Sequence, residues 1–306
     1  MTSSPHTEVI GLGQCSLDFL GQLDAYPGLD EKTEMSSLLT QGGGPVATAL
    51  VTLARLGVAV AMIGAVGRDD FGRRIRAELL AEKVDCRYLR EQTGAVSQVA
   101  FIAVDAAGHR NIFWHRSSAV IEIPDSLPEI LSAARILHLD GLDVPAAVAA
   151  AETARQLKIV TVLDAGALRP GIDRLLPLID HLVVSERFAR QAIGSHDPLA
   201  ALIHLCGPET KAVTVTCGRA GCYTMEATGA SFHQPAFPVA AVDTTGCGDV
   251  FHGGYIYGLL QGWPLPETVR FAAAVAALKT RALGGRTAIP SLPDVQRFLQ
   301  RHAHKG

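Results

Sequence analysis

The run Asp243, Thr244, Thr245, Gly246, Cys247, Gly248 and Asp249 joins a Gly-containing turn to a carboxylate just where an apolar helical pattern begins. Val250, Phe251, Tyr255, Ile256, Leu259 and Leu260 then recur at helical spacing. The turn therefore belongs at a helix N-terminus, where unpaired amides and the macrodipole favour an anion. A carboxylate beside such a site can take the proton from an attacking hydroxyl while the amides hold charge developing on a transferred phosphoryl group. The implied chemistry is phosphoryl transfer, with Asp249 as base and the amides of Gly246, Cys247 and Gly248 as the anion hole. A lone Gly-x-Gly-Asp is equally an ordinary helix start with turn glycines, so the rest of the chain must decide.

The elements that would position this turn read as an α/β alternation. Apolar runs at 8–13, 58–66, 136–139, 159–163, 181–184, 212–216 and 221–225 predict strands. Periodic stretches at 46–56, 71–83, 145–157, 175–179 and 266–283 predict helices. Strands alternating with helices imply a mainly parallel sheet with right-handed crossovers, and in such sheets the ligand lies beyond the carboxyl ends of the strands. The turns at Gly13, Gly218 and Gly246 all fall there. Residues 98–104 alternate as a strand that 110–114 rejoins across a turn at Ala106, Ala107 and Gly108. We therefore expect one domain over 1–306, with a small β lid built from segments near 14–45 and 95–116.

Composition narrows the partners. The chain has 306 residues, 48% of them hydrophobic and 6% aromatic, with 30 glycines and a formal net charge of −3. That is enough chain for a sizeable core, and it offers no broad basic field for nucleic acid or an anionic membrane. The six cysteines show neither a C-x-x-C pair nor zinc-like spacing, so reduced thiols are expected. No apolar run approaches the length of a bilayer span, and no leader pattern opens the chain. We expect a cytoplasmic protein.

Two signatures in this order, Gly42-Gly43-Gly44-Pro45-Val46-Ala47-Thr48 leading into Leu53-Ala54-Arg55-Leu56-Gly57, and the 243–249 run continuing through Phe251, Gly253 and Gly254, carry a resemblance. The chain resembles the ribokinase-like (phosphofructokinase B) family of carbohydrate kinases over almost its whole length. The resemblance implies a ribokinase-like three-layer α/β core with a small β lid, ATP with Mg2+ in the core, and a sugar between core and lid. It assigns Asp249 as catalytic base, Asp18 with Gly43, Gly44 and Thr48 to the substrate, and Thr216, Gly218, Gly221 and Gly248 to the nucleotide. It also suggests a monovalent cation, K+, near Asp243 and Thr245, with the 283–287 turn beside it.

The chain departs from the family at three places. Thr48 stands where many members carry a sugar-contacting Asn. Ser185 and Phe188 stand where many have the Asn and Glu that organise magnesium. Asp140, at a strand end, is a further substrate candidate, and His138 reads as a core histidine. Arg110, His115 and Arg116, on or beside the lid strands, could meet an anionic substrate group or simply be solvated charges.

The reading at this point is an ATP-dependent kinase of a hydroxymethyl group on a small sugar, a ketose or related carbohydrate. A nucleoside kinase, a kinase of a phospho- or sulfo-sugar, and an inactive sugar- or nucleotide-binding regulator stay open. A dinucleotide-binding reading of Gly11-x-Gly13 fails because Ser16 occupies the place of the third glycine. Exposed lid strands could also find a partner edge, giving a homodimer.

Overall fold

The computed structural model describes residues 7–303. Thirteen strands and nine helices alternate along them. The strands are β1 Val9–Leu12, β2 Ser16–Gln22, β3 Ser37–Gly43, β4 Val60–Gly67, β5 Leu89–Gln92, β6 Val99–Val104, β7 Arg110–His115, β8 Ile136–Leu139, β9 Val160–Ala165, β10 His181–Ser185, β11 Ala212–Thr216, β12 Cys222–Glu226 and β13 Ser231–Gln234. The helices are α1 Pro45–Arg55, α2 Asp70–Ala81, α3 Leu127–Ser132, α4 Val144–Gln156, α5 Glu186–Ile193, α6 Pro198–Leu205, α7 Cys247–Leu260, α8 Leu265–Lys279 and α9 Leu292–Ala303.

Nine strands form one sheet in the order β13-β12-β11-β10-β9-β8-β1-β4-β5. Every pair from β5 to β11 is parallel, and β12 and β13 add antiparallel at one edge. The strands read as unbroken apolar runs because both faces are covered. Val9, Met62, Val162 and Val183 turn to a core shared with α1, α2, α7, α8 and α9. Their neighbours Ile10, Ile63, Leu163 and Val184 turn to a second core shared with α3, α4, α5 and α6. Alternation along a strand thus produces the three layers.

Four strands make a separate sheet, β3-β2-β6-β7, with a small apolar cluster of Leu20, Ala100, Ile102 and Val104 beneath it. Its edge strand β7 is exposed throughout.

Several elements differ from the sequence expectation. Residues 175–179 form no α-helix; the segment holds two 3-10 turns, Ile172–Arg174 and Leu176–Leu178, and Pro177 lies in the second. α8 stops at Lys279 rather than running to 283, because the Thr280 carbonyl turns aside to accept from the amides of Val242 and Asp243. α5, α6 and α9 did not stand out in the sequence: the first two span 8 residues each, and α9 packs on the core through Leu292, Val295, Phe298 and Leu299. Among the described residues no helix is long and apolar enough to cross a membrane, and all six cysteines are free thiols.

Candidate active site

The turn before α7 is held from three sides. Gly246 caps the helix at φ 73°, a left-handed conformation that disfavours any residue with a Cβ, and a Cβ there would stand 3.0 Å from Gly285 Cα. Asp243 is fully buried; its Oδ1 accepts from the Thr245 amide at 2.8 Å and hydroxyl at 2.7 Å, and its Oδ2 from the Gly284 amide at 2.8 Å. This carboxylate ties the α7 turn to the 284–286 turn.

The amides of Gly246, Gly248 and Asp249 meet no protein acceptor among the described residues, whereas that of Cys247 donates to the Thr244 carbonyl at 3.2 Å. Unspent amides at a helix start fit a phosphate. Of the three amides expected to form the hole, those of Gly246 and Gly248 are open and that of Cys247 is partly used, and the Asp249 amide is open as well.

Asp249, in the first turn of α7, stays partly open to the cleft, yet the surrounding protein desolvates its carboxyl. Burial first, then the charge of Asp164, pushes its pKa up to about 6 against the pull of His252, Arg110 and Arg286. His252 follows one turn later on the helix. Its Nδ1 lies 2.7 Å from the Gly248 carbonyl and 3.4 Å from Asp164 Oδ2, and its Nε2 lies 3.3 Å from the Val183 carbonyl. Burial lowers the His252 pKa. Asp164, near the end of β9, is raised to about 7 by burial. Neither Asp164 nor His252 was singled out from the sequence, although His252 three places after Asp249 and Asp164 at a strand end both carried a signal.

Asp18 enters from the other sheet. β2 pairs with β3 so that Ser16 faces Gly43, and a Cβ on Gly43 would lie 2.0 Å from Asp18 Oδ2; only glycine leaves the carboxylate room. Ser16 Oγ donates to Asp18 Oδ1 at 2.7 Å. Burial raises the Asp18 pKa to about 6, opposed by Ser16 and Arg286, and Asp18 feels the charge of Asp249. The two carboxylates are thus near enough to interact. Gly44 caps α1 at φ 93°.

Thr48 is buried and accepts from Arg286 Nε at 3.2 Å, while Arg286 Nη2 donates to the Gly43 carbonyl at 2.9 Å. The sequence pointed to the turn containing Arg286 but not to this side chain.

Asp140 is buried, and both its oxygens are engaged by backbone: Oδ2 by the Gln14 amide at 2.7 Å, Oδ1 by the Leu142 amide at 3.0 Å. Burial still raises its pKa to about 7. Such a carboxylate braces the strand ends more readily than it offers a free acceptor. His138 is a core histidine, as read: its Nδ1 meets the Val162 carbonyl at 3.2 Å, its ring stacks on His252 at 5.6 Å, and burial lowers its pKa to about 3.

At the far end of the cleft, Thr216 closes β11 and its hydroxyl donates to the Val184 carbonyl at 3.2 Å. Gly218 and Gly221 follow at positive φ, and nothing lies within 4 Å of where a Cβ on Gly218 would stand. The open space suits close approach of a flat ligand. Ser185 is a helix cap, accepting from the Phe188 amide at 3.1 Å and donating to the Gly166 carbonyl at 2.8 Å, and Phe188 is a core side chain. Neither can organise a metal. Among the described residues no three His, Cys, Asp or Glu side chains are grouped for one.

The residues at the expected monovalent site fit a cation poorly. The Asp243 carboxylate is spent on three donors, and the buried Lys279 Nζ already donates to the Asp243 carbonyl at 3.0 Å. Burial lowers the Lys279 pKa, opposed by Cys247, Asp243 and Asp249.

From the lid, Arg110 donates to Thr244 Oγ1, so it locks onto the catalytic turn rather than standing free. His115 is exposed on the lid's outer face, and Arg116 lies over the Trp114 ring at 5.1 Å.

A doubly wound sheet with a separate β lid, the Asp249 carboxylate beside bare helix amides and the Asp18 carboxylate on the lid point to a ribokinase-like sugar kinase. Comparison with known proteins agrees. The pattern described as "pfkB family carbohydrate kinase" matches residues 7–292. A fructokinase of Klebsiella pneumoniae is 33% identical over 287 residues, spanning 86% of this chain and 93% of that protein. A ribokinase of Haemophilus influenzae is 28% identical, spanning 84% and 87%. A crystal structure from Agrobacterium tumefaciens, provisionally called a ribokinase, superposes with a TM-score of 0.91 at 27% identity, over 97% of this chain and 99% of that one. The chain belongs to the pfkB family of carbohydrate kinases, and it is an ATP-dependent sugar kinase.

Proposed function

We propose that the protein transfers the γ-phosphoryl group of ATP to a hydroxymethyl group of a small sugar, a ketose or close relative. The observation that carries this is the unspent amides of Gly246, Gly248 and Asp249 beside the Asp249 carboxylate, in a cleft that Asp18 enters from the lid. Asp249 takes the hydroxyl proton and the amides hold the phosphoryl oxygens. Asp18, accepting from sugar hydroxyls, orients the acceptor together with Gly43 and Gly44. The turn from Thr216 to Gly221 receives the nucleotide.

Magnesium arrives on ATP and neutralises its phosphates, held chiefly by nucleotide and water given the cap and core roles of Ser185 and Phe188. A resident K+ is left out of this reading, because the Lys279 ammonium already carries a positive charge to the Asp243 carbonyl. Residues 14–45 and 95–116 act as lid to a single kinase unit. The exposed Phe101, Ile112, Phe113 and Trp114 support a homodimer through that lid. A cytoplasmic location accords with six unpaired thiols.

ADP release measured over neutral sugars, sugar acids, sugar phosphates and nucleosides tests the reading. Sugar-dependent release that Asp249→Asn abolishes is the expected result. Release with nucleosides alone, or with no acceptor in the panel, would overturn it.

A further inference from the structure

Where the segments after β1, β7, β8 and β9 meet lies a cavity of about 400 Å³ lined by Gln14, Arg116, Ser117, Leu142, Arg169 and Pro170 among others. Its place in the fold is informative. Gln14 follows β1, Leu142 follows β8, Arg169 follows β9, and Arg116 follows the lid strand β7. The cavity therefore opens at the carboxyl ends of three adjacent core strands, under the lid, where α/β folds bind ligands.

Its charge is unbalanced. Arg169 is half-buried, yet its guanidinium neither donates a hydrogen bond nor pairs with a carboxylate among the described residues. Burial lowers its pKa, and Arg116 and Arg187 lower it further against the opposing charge of Asp140. Arg116, besides its contact with Trp114, reaches only the Leu142 carbonyl at 3.5 Å. Asp143 also lines the cavity; its Oδ1 accepts from the Ala146 amide at 3.2 Å, and it sets one negative charge against the two arginines. Like charges held over a common cavity, one of them partly desolvated and unpaired, are costly unless a bound anion completes the set.

The cavity also reaches the strand end that leads to Asp18, because Gln14 lines it and donates its amide to Asp140 Oδ2 at 2.7 Å. The charges of Asp164 and Arg169 both act on Asp140, and that of Asp164 acts on Asp249. A sugar presenting one end to Asp249 can therefore present another toward Arg169. Guanidinium groups match the geometry of carboxylate, phosphate and sulfonate oxygens.

We propose that Arg116 and Arg169 form an acceptor-side anion site, and that the preferred substrate is a sugar bearing an oxyanion at the end away from the hydroxyl that is phosphorylated. The proposal rests on the kinase reading and narrows its substrate from a small ketose or close relative to one that carries an oxyanion.

The experiment compares D-fructose and D-ribose with D-gluconate, which carries a carboxylate, and D-fructose 6-phosphate, which carries a phosphate. ADP release and thermal shift are measured on the native enzyme and on Arg169→Met, Arg116→Met and Arg169→Lys. One of the two anions should exceed both neutral sugars in kcat/KM by about tenfold or more, and which one identifies the oxyanion. Each Met variant should raise the KM for that anion by about tenfold while leaving kcat and the KM for ATP nearly unchanged, and Arg169→Lys should recover part of the loss.

A neutral sugar outperforming both anions overturns the proposal and leaves the kinase assignment standing. So does an Arg169→Met variant that weakens neutral and anionic sugars alike. If no sugar releases ADP, the kinase reading fails first and the thermal shift decides the anion site. A rise with D-gluconate or D-fructose 6-phosphate in the native protein but not in Arg169→Met sustains it, and equal shifts, or none, overturn it.

Discussion

Arg286 Nε donates to Thr48 Oγ1 at 3.2 Å across 238 residues of sequence, and the same guanidinium holds the Gly43 carbonyl at 2.9 Å. The hydroxyl that the family resemblance assigns to the sugar is thus committed to a buried arginine. Burial lowers the Arg286 pKa, while Asp18, Glu78, Cys15 and Glu82 oppose the shift. The arginine in turn pulls down the pKa of Asp18 and Asp249. It is a positioning residue: it fixes the Gly43 turn and supplies positive charge to both site carboxylates.

Replacing Thr48 by Val deletes the acceptor and leaves the Arg286 Nε–H unsatisfied, at a cost of about 1–3 kcal/mol. The melting temperature should fall, and the KM for the sugar should rise more than kcat drops. Arg286→Lys should keep more activity than Arg286→Met, because part of the charge survives. Equal loss in the two would deny the electrostatic role. Steady-state kinetics and thermal unfolding of the three variants give the answer.

Asp249→Asn keeps the shape of the side chain and removes its basicity. Turnover should fall by roughly 10²–10⁴-fold, the usual contribution of a positioned general base. The KM for ATP should hold, because the open amides of Gly246 and Gly248 are untouched. A variant with near-native turnover would move the base elsewhere, and Asp164 is the carboxylate to examine next.

Much of this site could be read in the sequence because its parts are local. The glycines, Asp249 and the helical pattern lie within one stretch, and the strands show as apolar runs because both sheet faces are buried. Asp164, His252, Arg286 and Lys279 have no assignable role from the sequence alone, since each acts through a partner brought near by the fold. Asp164 on β9 meets His252 on α7, and Arg286 reaches back to β3 and α1. The same limit applies to Asp140, whose strand-end position marked it for substrate although backbone amides occupy both its oxygens. Arg110, read as a lid charge, turned out to hold Thr244, a contact no spacing could reveal.

The pH dependence follows from the direction of two shifts. Asp18 and Asp249 are both raised to about 6, chiefly by burial, so both are protonated at a pH where ordinary carboxylates remain ionised. Asp249 must be ionised to accept the hydroxyl proton. Activity is therefore present above about 6 and lost as pH falls through it. The groups that set the limb are Asp164 from β9, His252 from α7, Arg110 from β7 and Arg286 from the late turn. Arg110→Met removes a positive charge that holds the Asp249 pKa down, so it should move the acidic limb of kcat/KM to higher pH. A limb that stays put, or that lies near 4 in the native enzyme, would contradict the assignment.

Lys279 gives the last prediction. Its buried ammonium donates to the Asp243 carbonyl at 3.0 Å, while the Asp243 carboxylate braces Thr245 and Gly284. A carbonyl so occupied has little left for a monovalent ion, and the positive charge beside the anion hole comes from the side chain instead. Turnover should be the same in potassium chloride as in choline chloride at equal ionic strength. Lys279→Met leaves the Asp243 carbonyl without its donor and the turn without its charge, so both stability and turnover should drop. If potassium then restored turnover to Lys279→Met, it would show that the ammonium stands where the ion can bind. Potassium activation of the native enzyme would show that it does not.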